Sequence, residues 1–206
     1  MRTSWPSNMN ICVPFSIGEG ASERGPRLGG CAPENVVPVL RAEGIKYFST
    51  LPLSMADELE LSIFVSYDFD EMSDVAGQVA MQGLVQLVVH ETSKRGTENN
   101  LKSPLSAHPL ILGKPKPDML VGEDGREVES SHKLGGRPAL IEPSRAFEAL
   151  ERLERQDFAQ VAQFDFPVGE GDADVDGDWP FADGLFHILG RAPYVGDDDW
   201  RWFFEF

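Results

Sequence analysis

Lys133-Leu134-Gly135-Gly136-Arg137-Pro138 is the stretch on which the fold turns, because Arg27-Leu28-Gly29-Gly30-Cys31-Ala32-Pro33 stands 106 residues before it. Each opens on a basic residue and a leucine. The paired glycines that follow suit a turn with φ > 0 or a close approach of two backbones. Two more matches keep the same order. Ser62-Ile63-Phe64-Val65-Ser66-Tyr67-Asp68-Phe69 is answered by Phe158-Ala159-Gln160-Val161-Ala162-Gln163-Phe164-Asp165-Phe166, and Gln82-Gly83-Leu84-Val85-Gln86-Leu87 by Asp183-Gly184-Leu185-Phe186-His187-Ile188-Leu189. Matches that recur in order while their loops vary mark two copies of one unit.

Working outward, each unit places a helical stretch after its glycine turn. In the second copy, Phe147, Leu150 and Leu153 recur at helical spacing behind Pro143 and Ser144. The counterpart around Asn35–Ala42 is shorter and interrupted by Pro38. Period-2 alternation predicts strands over Asn10–Ser16, Glu58–Tyr67, Gly83–Glu91, Leu110–Leu112, Phe158–Phe166, Gly184–Leu189 and Trp200–Phe206. The expected fold is therefore α+β and β-dominated, with two pseudo-duplicated β-rich units and a few short helices. The expected boundaries are 1–105 for the first unit, 106–132 for a connecting segment and 133–206 for the second unit.

Composition narrows the partners. A hydrophobic content of 41% is enough to build a core, and the net charge is −16. Such a balance argues against nucleic acid and against anionic membrane surfaces, and favours a basic protein partner. The charge is concentrated: residues 157–206 hold twelve Asp or Glu against two Arg. Cys12 and Cys31 are too few for a disulfide framework. No apolar run is of signal-peptide type or approaches the ~20 residues of a membrane span, so a cytoplasmic location is expected.

The densest chemistry lies in Asp172-Ala173-Asp174-Val175-Asp176-Gly177-Asp178-Trp179-Pro180-Phe181-Ala182-Asp183. Alternating carboxylates with glycine at the sixth place have the spacing of a calcium loop, in which hard oxygens surround the ion and glycine permits the turn. Asp183 is short for the usual bidentate closure, and Pro180 occupies the ninth place. The loop is read as solvated carboxylate, with no metal and no cofactor assigned. The four histidines, His90, His108, His132 and His187, show no metal-ligand spacing. A Ser131, His132 and Asp165 grouping lacks any nucleophile motif, so the histidines are read as structural and no enzyme is expected. The tail Trp200-Arg201-Trp202-Phe203-Phe204-Glu205-Phe206 is read as a buried strand.

The second unit resembles the bacterial YwqG-like family through His132 to Pro138, Ala159 to Asp165, and Trp179-Pro180 followed by Asp183-Gly184. The resemblance implies duplicated β-rich subdomains and no established cofactor. Relatives of this kind occur beside bacterial polymorphic toxins, where small acidic cytosolic proteins serve as immunity factors. The expected function is accordingly an immunity protein that binds and neutralises a toxin domain. Asp172, Asp174, Asp176 and Asp178 would steer the encounter, and Trp179 or Phe181 would anchor it. The alternative is a calcium- or small-ligand-binding housekeeping domain.

Overall fold

The computed structural model describes residues 11–36, 44–53, 58–67, 84–97, 101–118, 132–140, 143–165, 172–181, 184–194 and 196–205. The strands are β1 (Ile11–Ile17), β2 (Arg27–Leu28), β3 (Ile45–Pro52), β4 (Leu59–Ser66), β5 (Val85–Glu91), β6 (His108–Leu112), β7 (Lys116–Pro117), β8 (Lys133–Gly135), β9 (Ala159–Phe164), β10 (Leu185–Gly190) and β11 (Trp200–Glu205). Helix α1 spans Pro143–Glu154. All the strands join one antiparallel sheet in the order β11-β10-β9-β8-β1-β6-β2-β3-β4-β5, with β7 also paired to β1. The sheet curls into a nearly closed antiparallel barrel. Val85 of β5 and Phe204 of β11, the two end strands, reach the same core cluster.

This corrects the expected α+β class. Among the described residues α1 is the one α-helix, and the helical stretch expected around Asn35–Ala42 falls largely outside them. Among the described residues, 143–154 combine a helical period with freedom from strand pairing. The described strands each find an antiparallel neighbour that satisfies their backbone groups.

Two halves with matching ladders meet at the β1–β6 pair. β2 pairs β6 at Arg27↔Pro109, and β8 pairs β1 at Lys133↔Pro14, so the opening strand of each half lies beside the other half's glycine strand. The junction is reciprocal: Gly18 N–H donates to Pro109 C=O at 2.9 Å, and Gly113 N–H donates to Pro14 C=O at 2.8 Å. A side chain at Gly29 would meet Ser106 O at 2.0 Å, which explains a glycine with φ +65° there. Outward from this centre, β3 and β9 occupy the same ladder position. Each carries a β-bulge, at Phe48 and at Val161, which turns one extra side chain into the core. By position, then, β9 answers β3 and β10 answers β4. The sequence matches of 62–69 with 158–166 and of 82–87 with 183–189 join strands one step apart in this ladder. β1, within the expected first unit, pairs with β8 of the second, and β6 and β7 come from the expected connecting segment.

The barrel interior is filled by aromatic rings. Phe48 makes edge contacts with Phe164 at 4.9 Å and Phe181 at 4.9 Å between centroids, and Phe186 stacks on Phe204 at 4.6 Å. Edge-to-face and offset pairs of this kind add to the burial of the rings. Outside the barrel, Leu150 of α1 covers Phe158, Leu189 and Phe203. On the other half, Ala32, Val36 and Leu101 cover Ile45, Tyr47 and Phe64. Among the described residues no helix is long and apolar enough to cross a membrane.

Candidate functional site

The acidic segment 172–181 crosses one end of the barrel as an ordered strap. At its start Asp172 Oδ1 accepts the Ile17 N–H at 2.7 Å, and Ala173 N–H donates to Ile17 C=O at 2.7 Å. The strap thereby continues the edge of β1 that β8 occupies lower down. Asp172 Oδ2 lies 3.4 Å from His132 Nε2, and both side chains are nearly buried. His132 Nδ1 accepts the Asp165 N–H at 3.1 Å, which leaves the proton on Nε2, facing Asp172. Burial pushes the Asp172 carboxyl up, but His132 and the Ile17 N–H outweigh it, and the group lies below the usual carboxylate range.

A second anchor follows at Asp176. Its C=O accepts the Ser106 N–H at 2.9 Å, and its N–H donates to Ser106 Oγ at 3.1 Å. Ser106 Oγ lies 2.7 Å from His108 Nε2, and His108 Nδ1 lies 3.0 Å from Gly18 O. The consistent assignment has Ser106 O–H donating to Nε2 and Nδ1–H donating to Gly18 C=O. Gly177, at φ +114°, presses on Pro104, where a Cβ would meet the carbonyl oxygen at 2.4 Å. With its backbone held in this way, the strap alternates. Ala173 is buried, and Asp174, Asp176 and Asp178 are exposed. Among the described residues none of these three carboxylates has a cation partner.

The expected site residues therefore divide. Asp174, Asp176 and Asp178 are presented together to solvent. Asp172 faces inward and holds the strap. Phe181 is 1% exposed and lies among Phe48, Phe186 and Phe204, so it offers no surface for a partner in this conformation. Trp179 is half-buried, with its ring against Phe48 at 5.4 Å. Asp183, the twelfth place of the calcium-type spacing, lies outside the described residues. Among the described residues no group of three His, Cys, Asp or Glu gathers as metal ligands.

The strap also walls a cleft of about 780 Å³, where Asp176 and Gly177 face Cys31, Arg95, Lys102 and Ser106. Arg95 is held by Glu23 at 2.8 Å. Of the grouping Ser131, His132 and Asp165, the first is outside the described residues, and His132 takes the backbone N–H of Asp165. His187 is fully buried and stacked on Phe203 at 4.3 Å.

Sequence reading missed a polar row on the outer face of the first half. Tyr47 Oη, Thr50 Oγ1, Ser62 Oγ and His90 Nε2 form a chain with steps of 2.7, 2.9 and 2.8 Å. Glu60 and Ser62 alternate with Leu61 and Ile63, a pattern that reads as a solvated face. Yet Glu60 is 3% exposed and Ser62 0%. No family model matches the chain, and no curated protein does.

Proposed function

We propose that the chain is a cytosolic interaction protein, an immunity-type antidote that holds a basic toxin domain against the strap 172–178. One observation carries the reading. The strap's backbone is tied to β1 and to Ser106, while its three carboxylates at 174, 176 and 178, which have no cation partner among the described residues, are exposed to solvent. Carboxylates fixed before the encounter lose little freedom on binding, and a net charge of −16 adds a long-range field. The likeness of the C-terminal half to YwqG-like domains, whose relatives stand beside toxins, supports the same reading.

Trp179 and Phe181 take a supporting role in this reading, fastening the strap to the core. Ile111 is the large apolar side chain left exposed among the described residues, at 56%, and it lies on β6 opposite Ser16, next to the strap's anchor at Ile17. It supplies the apolar contact beside the charged rim.

On this proposal a toxin-like domain is expected to be encoded beside this gene, and the test is co-expression with it. Growth is expected to be rescued by the native chain. The variant Asp174→Asn, Asp176→Asn, Asp178→Asn should fail to rescue while keeping its Tm, because exposed substitutions shift stability by no more than about 0.5 kcal/mol each. Full rescue by the triple variant would place the interface elsewhere.

A further inference from the structure

The glycine turns that follow β2 and β8, Gly29-Gly30-Cys31 and Gly135-Gly136-Arg137, have the same backbone shape. Their glycines lie at φ +65° and +73° in the first and at +67° and +76° in the second. The second turn holds an anion. Asp118 Oδ2 accepts the Arg137 N–H at 2.6 Å, and a Cβ on Gly136 would collide with that carboxylate, so the acid lies directly on the turn. Lys133 Nζ supplies the cation, donating to both Asp118 oxygens at 3.0 and 3.1 Å. Backbone N–H groups of a tight turn form a concavity suited to an oxyanion, and an ammonium group beside it strengthens the hold.

The first turn has the same frame and no acid on it. Ala107, one step beyond the Leu28↔His108 pair, is the counterpart of Cys12, one step beyond Leu134↔Val13. Each presses its Cβ on the second glycine of its turn, at 2.7 Å and 3.0 Å from where a glycine Cβ would stand. Asp118 has no such counterpart: the next side chain at Gly30 is the stem of Arg95, at 3.8 Å. Among the described residues the Cys31 N–H, which matches the Arg137 N–H, has no acceptor. Open space takes the place of the acid. Gly30 and Cys31 line the cleft of about 780 Å³, a volume within the range of small-molecule sites, together with Arg95 and Lys102. The Arg95 side chain gives Glu23 one N–H, from Nη2, and keeps the rest of its fork unused among the described residues. Lys102 is exposed and has no carboxylate partner among them.

We infer that this cleft binds a small organic acid with two or three carboxylates. One carboxylate sits on the Cys31 N–H and the guanidinium of Arg95, as Asp118 sits on the Arg137 N–H and Lys133. A second reaches the ammonium group of Lys102, which a single carboxylate would leave unused. Inorganic phosphate gathers its charge on one centre, whereas the cleft spreads its cations over two residues. Asp176, on the strap wall, repels anions and confines the carboxylates to the side of the two cations. The net charge of −16 opposes an anion at long range, so affinity rests on contacts inside the cleft and not on steering. The ligand is held by cations, and the site stands whether or not the strap meets a toxin.

The experiment uses the full chain, with succinate, glutarate and citrate as probes. Acetate, inorganic phosphate and succinamide, which keeps the shape of succinate without its charges, are the controls. Calorimetry is expected to show saturable binding of at least one probe, at least about tenfold tighter than any control. In the native chain the Cys31 backbone N–H resonance should shift saturably with the same probe. The Cys31 thiol also lines the cleft, while Cys12 is buried, so bound probe should slow alkylation of Cys31 by iodoacetamide. Lys102→Gln removes a charge that no described residue uses, and should weaken binding about tenfold, as should Arg95→Gln. Lys114→Gln, an equal charge change at an exposed site outside the cleft, should leave affinity within about twofold, because distant charge is screened. The inference is overturned if no probe saturates, if a control binds as tightly, if Lys102→Gln retains full affinity, if Lys114→Gln weakens binding as much, or if the Cys31 resonance stays still.

Discussion

Asp172 shows how one residue changes role between sequence and fold. In the sequence it is the first of four alternating carboxylates, and nothing local separates it from Asp174. The separation comes from chain neighbours 155 positions away, where the Ile17 N–H at the end of β1 needs an acceptor. Asp172→Asn, which keeps an acceptor but loses the charge, is therefore expected to destabilise the fold by about 1 kcal/mol at pH 7, the margin of a hydrogen bond to a charged group over one to a neutral group. The sign of the pH dependence follows from the depressed carboxyl. Its contribution is present above the unfolded value of about 3.9 and is lost as pH falls through the lower folded value. Urea melts of native chain and variant should converge below about pH 4. A gap that persists unchanged into acid would remove the charged anchor from the explanation. Trp179 and Phe181 look like an exposed patch beside four acids, but the fold buries Phe181 in the core and packs the half-buried Trp179 against it.

Among the elements, long strands with clean alternation were legible, and so was α1. β3 was not, because the bulge at Phe48 breaks its period: Phe48 and Leu51 are three residues apart yet face the same core cluster. β2 and β8, at two and three residues, are too short for any period to show, and only their glycine turns betray them. The repeat was read one strand out of step because short alternating strands resemble each other more than their ladder positions do. The helix gives a clear expectation. Leu150 is buried against Phe158, Leu189 and Phe203, so Leu150→Ala should cost about 2 kcal/mol or more, measured by urea denaturation. A loss under about 0.5 kcal/mol, the level of a surface substitution, would mean that α1 does not cover β10 and β11.

At the level of the whole molecule, the exchange of β1 and β6 makes each half depend on the other. A chain cut between residues 97 and 101 leaves β2 without β6 and β8 without β1. Neither fragment is expected to fold alone by circular dichroism, and mixing them should restore the strand signal. An N-terminal fragment with its own cooperative transition would show that the halves are independent units. The same architecture brings the ends of β1 and β6 beside the strap, so the acidic rim is built where the two halves meet. That rim carries the functional proposal, and the most direct measurement of it is the association rate with the basic toxin domain that the proposal names as partner, as salt is varied. The Debye length shrinks from ~30 Å at 0.01 M to ~8 Å at 0.15 M. The rate for the native chain should fall steeply over that range, and the rate for the Asp174→Asn, Asp176→Asn, Asp178→Asn variant should be lower and nearly flat. A native rate that does not change with salt, or a variant that matches it, would contradict recognition through the strap.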